Sequence, residues 1–202
     1  MPLFQLHYVA RQPVNAPAFP TPTRLAEFEA RIAALEEQVK ISPDPDTLNL
    51  LVFSGERDRL LAAFVMACSA AASGMKVVIF FTFWGTPALR KSSRQLGKKT
   101  IIERAFGWML PGGVRQTRLS NMDMLGMGRW LMAREMKKKG VADLPTLIES
   151  AQALGVELHV CEMSMNLMGI RKEELIDYEH MRLCGAAEFI ERTTKANTTM
   201  FI

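Results

Sequence analysis

The sequence is poor in cysteine: Cys68, Cys161 and Cys184 are the only three in 202 residues. They are too few and too scattered for a disulfide framework. No CxxC pair and no Cys/His cluster has metal-ligand spacing, so no metal is expected. Three free thiols suit a reducing compartment, and the expected location is the cytoplasm. There is no GxxxxGK[ST], GxGxxG or GxSxG motif, which removes the common signatures of nucleotide binding and serine hydrolysis. Ser54-Gly55-Glu56-Arg57-Asp58 is a tight turn without phosphate-loop spacing. Long apolar runs are missing as well. The richest stretch, Val77 to Trp84, falls well short of the roughly 20 residues a membrane helix needs, so it reads as a buried strand and no transmembrane segment is expected. The start, Met1 to Gln5, lacks a basic region followed by an apolar run, so no secretory signal is expected. No internal repeat or low-complexity tract is visible.

What is present is an ordinary globular composition, 49% hydrophobic and 23% charged, enough to fold a core without covalent staples. The formal net charge of +4 could favour an anionic or acidic partner but does not mark a nucleic-acid binder.

Two regions differ in texture, 1–46 and 47–202. The first opens with a proline-rich arm carrying Pro2, Pro13, Pro17, Pro20 and Pro22. A helix is expected from about Thr23, with Leu25, Phe28, Ile32, Leu35 and Val39 spaced as a short heptad seam. A seam of that length is unstable alone and needs the body or a second subunit to pack against. Ser42-Pro43-Asp44-Pro45-Asp46 breaks the helix. In the second region Leu48–Phe53 reads as a buried strand, Asp58–Ser73 as a helix ended by Gly74, and Lys76–Phe83 as another strand. That order is a βαβ unit and implies a parallel sheet. Residues 85–121 read as loops with a short helix. Helices are expected over Asn121–Lys139 and Leu144–Leu154, the latter with Pro145 in its first turn. Val156–Cys161 alternates as a strand, with Glu157, His159 and Cys161 on one face. Helices from Ser164, near Lys172 and over Tyr178–Arg192, and a strand over Thr198–Ile202, complete the reading.

Cys161 is the candidate reactive group. It stands at the carboxyl end of a strand, where open parallel sheets place their functional crevice, and immediately before a helix whose amino end favours thiolate. Ser164 could cap that helix. The blander reading is a small buried hydrophobe. Cys68 and Cys184 both fall in expected helices and read as core, and His159 as a surface histidine. The methionines at 122, 124, 127, 132, 136, 163, 165 and 168 read as adaptable core or oligomer contact. Arg90, Lys91, Arg94, Lys98, Lys99 and Arg104 form a basic run, either a solvated face or a landing patch for an acidic partner. Trp84 and Trp108 flank it too sparsely for a nucleic-acid platform.

The segments Phe80-Phe81-Thr82-Phe83-Trp84-Gly85, Asn121 to Gly128 and Cys161 to Ile170 together resemble the DsrE/DsrF/DsrH-like family, in its longer single-chain branch often labelled peroxiredoxin-like. The resemblance runs from about Leu48 to Ile202. It implies an α/β three-layer sandwich with a mostly parallel sheet, carrying the N-terminal helical appendage, and a homo-oligomer. It implies a sulfur-transfer role in which Cys161 holds sulfane sulfur as a persulfide and exchanges it with a TusA-like or rhodanese-like carrier. Met163, Ser164, Met165, Trp84 and Asn121 would support or line the persulfide pocket, and Arg94, Lys98 and Lys99 would dock the partner. The alternative is a non-catalytic oligomeric binding module that docks a protein through the basic patch. A thiol peroxidase fits less well, because no resolving cysteine and no supporting Thr and Arg stand near Cys161 in the sequence.

Overall fold

The computed structural model describes residues 22–41, 44–91, 97 and 99–202. The chain divides into two units, residues 1–42 and 43–202. In the first, helix α1 spans Pro22–Ile41. Its seam residues Leu25, Phe28, Ile32 and Leu35 are each about half exposed.

The second unit is built on five strands: β1 (Asp44–Val52), β2 (Lys76–Phe81), β3 (Glu157–Cys161), β4 (Met181–Cys184) and β5 (Ala196–Phe201). They form one sheet in the order β4-β3-β2-β1-β5, and every pairing is parallel. The helices of this unit are α2 (Arg57–Ala72), α3 (Ile101–Met109), α4 (Met127–Lys138), α5 (Leu144–Ala153), α6 (Glu162–Met168) and α7 (Ala186–Lys195).

The period-two alternation of the strands sorts their side chains into two layers. Leu48, Leu50, Val52, Val77, Ile79, Phe81, Leu158 and Val160 face the main core, where Leu60 and Phe64 of α2 and Leu144, Leu147 and Ala151 of α5 close over them. On the other face Phe80, Cys161 and Cys184 form a smaller apolar cluster with Phe189 of α7. Phe189 stacks on Phe80 with ring centroids 4.9 Å apart. The fold is the expected α/β sandwich, helices on both faces of a parallel sheet.

Local chemistry explains the element ends. Asp143 caps α5 by accepting from the Thr146 backbone N–H at 3.0 Å, ahead of Pro145. Thr100 and Glu103 make a reciprocal capping box on α3. Gly85 has a steric reason to be glycine: a Cβ there would sit 2.5 Å from the Val52 carbonyl oxygen. That close approach holds the 3₁₀ segment Phe83–Leu89 against the carboxyl end of β1.

Two expectations are corrected. Residues 181–184 form edge strand β4, and only 186–195 are helical, where one helix over Tyr178–Arg192 was expected. The helix expected from Asn121 begins at Met127. Before it, Met122, Met124 and Leu125 have positive φ, a conformation that interrupts a regular helix.

Candidate functional site around Cys161

Cys161 is the last residue of β3 and the N-cap residue of α6. Ser164, read as the cap, is three residues further on and fully buried. Its hydroxyl accepts from the Phe83 backbone N–H at 2.9 Å and pairs with the Thr82 hydroxyl at 3.1 Å. Phe83 holds a positive φ of 42°, a strained backbone for a bulky residue, at the point where the chain leaves β2 beside the cysteine.

This arrangement decides the electrostatics of the sulfur. Burial opposes ionisation. Against it work the Ser164 hydroxyl and N–H, the Thr82 hydroxyl and the Met163 N–H, and together they hold the Cys161 thiol below the ordinary cysteine range. None of these makes a regular side-chain cap bond with the sulfur, so the effect is a shared field of donors. The other two cysteines go the opposite way. Burial pushes Cys68 up, and burial with the nearby Glu188 carboxylate pushes Cys184 up to about 11. All three thiols are free. Cys161 itself is 1% exposed.

The Ser164 hydroxyl carries a specific prediction. In Ser164→Ala the Phe83 N–H loses its buried acceptor, which costs about 1–3 kcal/mol of stability. The Cys161 thiol also loses a donor, so the midpoint of its thiolate absorbance titration moves to higher pH. Linkage gives the sign. A thiol with a lowered folded-state pKa adds stability above its unfolded pKa and loses it as pH falls through the folded pKa. The stability gap between wild type and Ser164→Ala therefore narrows toward acid pH, as parallel urea titrations at several pH values would record.

Beside Cys161 stands a second group. Cys184 is its partner in the β3–β4 register, and His159 on the same face is buried. The His159 Nε2 is 2.9 Å from Glu157 Oε2, and its Nδ1 is 3.7 Å from Cys184 Sγ and 3.8 Å from Glu188 Oε1. Burial lowers the His159 pKa, partly countered by the Glu157 hydrogen bond. This corrects two expectations. His159 is not a surface histidine, and a second cysteine does lie beside Cys161, brought there by strand β4, where the residue pattern alone predicts helix. Thr82 and Phe189 also belong to this neighbourhood and were missed. Their signal, position at the end of β2 and on the inner face of α7, exists only once the sheet is assembled.

The remaining expected site residues have places of their own. Met163 contributes its backbone N–H, while its side chain is half exposed. Met165 is buried in the main core. Trp84, half exposed, lines a cavity of about 490 Å³ with Glu56, Trp108 and Met109. Asn121 is exposed and lines a separate cavity with Met122, Met127 and Leu131. Of the basic run, Arg94 and Lys98 lie outside the described residues. Lys99 is buried, with its Nζ 2.6 Å from Glu174 Oε1, and Arg90 is buried against the same carboxylate at 3.8 Å. Lys99 therefore braces the interior, which corrects its expected place on a docking surface.

Comparison with known proteins gives the family of the chain. Residues 45–201 match the family model described as "DsrE/DsrF/DrsH-like family". The chain is 40% identical over 153 residues to a Bacillus subtilis (strain 168) protein named "Uncharacterized protein YrkE", covering 76% of this chain and 94% of that one. It is 31% identical over 167 residues to a protein of Allochromatium vinosum named "Sulfur carrier protein DsrE2", covering 77% and 97%. Among solved structures, the ychN protein of E. coli aligns with a TM-score of 0.46 at 11% identity, over 79% of this chain and all of that one. With the family model covering all five strands, from the second residue of β1 to the end of β5, this chain belongs to the DsrE/DsrF/DrsH-like family.

Proposed function

We propose that this protein handles sulfur, carrying sulfane sulfur as a persulfide on Cys161 and passing it to a partner carrier protein of TusA-like or rhodanese-like chemistry. The observation that carries the reading is the contrast among the thiols: Cys161 alone is held toward thiolate, at the carboxyl end of a parallel strand, while Cys68 and Cys184 are held as thiols. Family membership and the relative named as a sulfur carrier support it.

The chemistry is thiolate exchange. The Cys161 thiolate attacks the outer sulfur of a donor persulfide. A new S–S bond forms on Cys161, the donor's S–S bond breaks, and the donor departs as a thiolate that takes a proton from solvent. An acceptor thiolate then attacks the outer sulfur of the Cys161 persulfide, and Cys161 leaves as thiolate. Its hydrogen-bond donors stabilise it as a leaving group as well as a nucleophile, so both half-reactions benefit. No step needs a metal or an organic cofactor.

The binding-module alternative draws no support from Lys99, which is buried and paired. Self-association is part of the proposal: Ile101, Trp108 and Met109 of α3 and Met124, Leu125, Trp130 and Leu131 around α4 leave large apolar side chains exposed. Among the described residues no helix is long and apolar enough to cross a membrane. A reducing cytoplasm suits three free thiols. Cold cyanolysis of protein incubated with polysulfide tests the carrier role. Thiocyanate released from wild type and absent with Cys161→Ser is expected; equal release from both would overturn it.

A further inference from the structure

We propose that His159, Cys184 and Glu188 form a binding site for a borderline-soft divalent transition-metal ion, with zinc as its natural occupant. This site stands independently of the persulfide reading, since Cys161 is not one of its ligands.

The three side chains come from three elements, β3, β4 and the first turn of α7, so only the folded unit assembles them. Their donor atoms all lie within 4.8 Å of one another. The His159 Nδ1 is the shared vertex, 3.7 Å from Cys184 Sγ and 3.8 Å from Glu188 Oε1. Tetrahedral zinc, with bonds of about 2.0 Å to nitrogen and oxygen and about 2.3 Å to sulfur, sets such donors roughly 3.3–3.6 Å apart. The distances from His159 are thus within a few tenths of an ångström of a ligated geometry. Glu188 is only partly buried and has the rotamer freedom to close the third edge.

Two further features point the same way. His159 turns its other nitrogen, Nε2, to Glu157 Oε2 at 2.9 Å. A histidine held at one nitrogen by a carboxylate and presenting the other to a neighbouring ligand set is the usual outer support of a metal-bound imidazole. Charge also balances. A Cys184 thiolate and the Glu188 carboxylate neutralise a divalent ion. Arg192, whose guanidinium lies 3.5 Å from Glu188 and 3.9 Å from Glu157, remains to compensate Glu157. One nitrogen, one sulfur and one oxygen donor disfavour calcium and magnesium, which take oxygen alone, and leave a fourth position for water. On binding, the Cys184 S–H bond breaks, the S–metal bond forms and the proton passes to buffer.

Such an ion would tie α7 to the edge of the sheet on the face that carries Cys161. The sequence hides the site because its ligands are 25 and 4 residues apart on strands and a helix, with no conventional ligand spacing.

Cobalt(II) is the probe. Titration of the full chain with cobalt chloride should give one equivalent of tetrahedral d–d bands with a sulfur-to-cobalt charge-transfer band, all displaced by zinc. The spectrum should persist in Cys161→Ser and vanish in Cys184→Ser. Zinc should raise the melting temperature of wild type and Cys161→Ser alike. If Cys184→Ser does not fold, Glu188→Gln, at a partly exposed position, serves instead and should weaken cobalt binding by at least about tenfold, since even outer-shell losses cost that much. Folded wild type without a charge-transfer band, a band that survives Cys184→Ser or disappears with Cys161→Ser, or unchanged affinity in Glu188→Gln would each overturn the site.

Discussion

Glu174→Ala is expected to destabilise the second unit by about 3–5 kcal/mol, because removing one partner from a buried ion cluster leaves the others charged and desolvated. Glu174 sits in a 3₁₀ turn, with 1% of its side chain exposed. Its carboxylate faces Lys99 at 2.6 Å and Arg90 at 3.8 Å, and neither of those side chains is more than 2% exposed. Arg90 also reaches the Gly107 carbonyl of α3, and the Lys91 backbone N–H donates to the Glu174 carbonyl at 2.8 Å. The cluster thereby holds together the chain after the 3₁₀ segment, the approach to α3 and the turn before β4. The exposed pair Lys195–Glu191 is a control on α7, equally short at 2.6 Å yet largely in water. Glu191→Ala should leave the unfolding midpoint essentially unchanged, because an exposed pair is screened by solvent. Urea unfolding of both variants checks the contrast. Equal small losses would mean that Lys99 and Arg90 find water or another partner once Glu174 is gone.

Phe189→Ala is expected to cost about 3–5 kcal/mol and at the same time to expose Cys161. Phe189 is 3% exposed, stacks on Phe80 and meets the ring of Phe201 edge-on at 6.5 Å. It is the α7 member of the small cluster that buries the thiol. A thiol that is 1% exposed exchanges sulfur only when its cover moves. Removing the ring should therefore raise the rate of Cys161 alkylation, with a larger gain for a bulky maleimide than for iodoacetamide. Peptide mapping of the modified cysteine in conditions where the variant is folded checks this. An unchanged Cys161 rate in folded Phe189→Ala would place the route to the sulfur on the side of α6 and the 3₁₀ segment.

The sequence reads well where one side chain pattern dominates. Leu48–Phe53 and Lys76–Phe83 are largely apolar runs of strand length that suit a buried parallel strand; α2 and β2 follow the expected bounds closely, while β1 starts earlier, at Asp44, within the stretch that reads as a helix-breaking linker. The alternation of Glu157, His159 and Cys161 placed the cysteine on its face and at its strand end correctly. Strand β4 escaped because four residues are too few to show a period, and the pairing partner that makes Met181–Cys184 extended is β3, more than twenty residues away in the chain. With β4 unread, Cys184 could not be seen beside Cys161, nor His159 between two carboxylates. Lys99 escaped for a different reason. A lysine in a basic run reads as solvated unless its carboxylate is known, and Glu174 lies far along the chain. Ser164 reads locally as a cap, but its hydroxyl instead ties α6 to Thr82 and Phe83, a tertiary contact no local spacing announces.

The proposed function stands or falls on whether Cys161 accepts sulfane sulfur. Intact-protein mass spectrometry after incubation with a persulfide or polysulfide donor tests it most directly, comparing wild type, Cys161→Ser and Cys184→Ser. The mass of one added sulfur atom, removed by dithiothreitol, is expected on wild type and on folded Cys184→Ser, and none on Cys161→Ser. Folded wild type that gains no sulfur, or a gain that persists in Cys161→Ser, would contradict it.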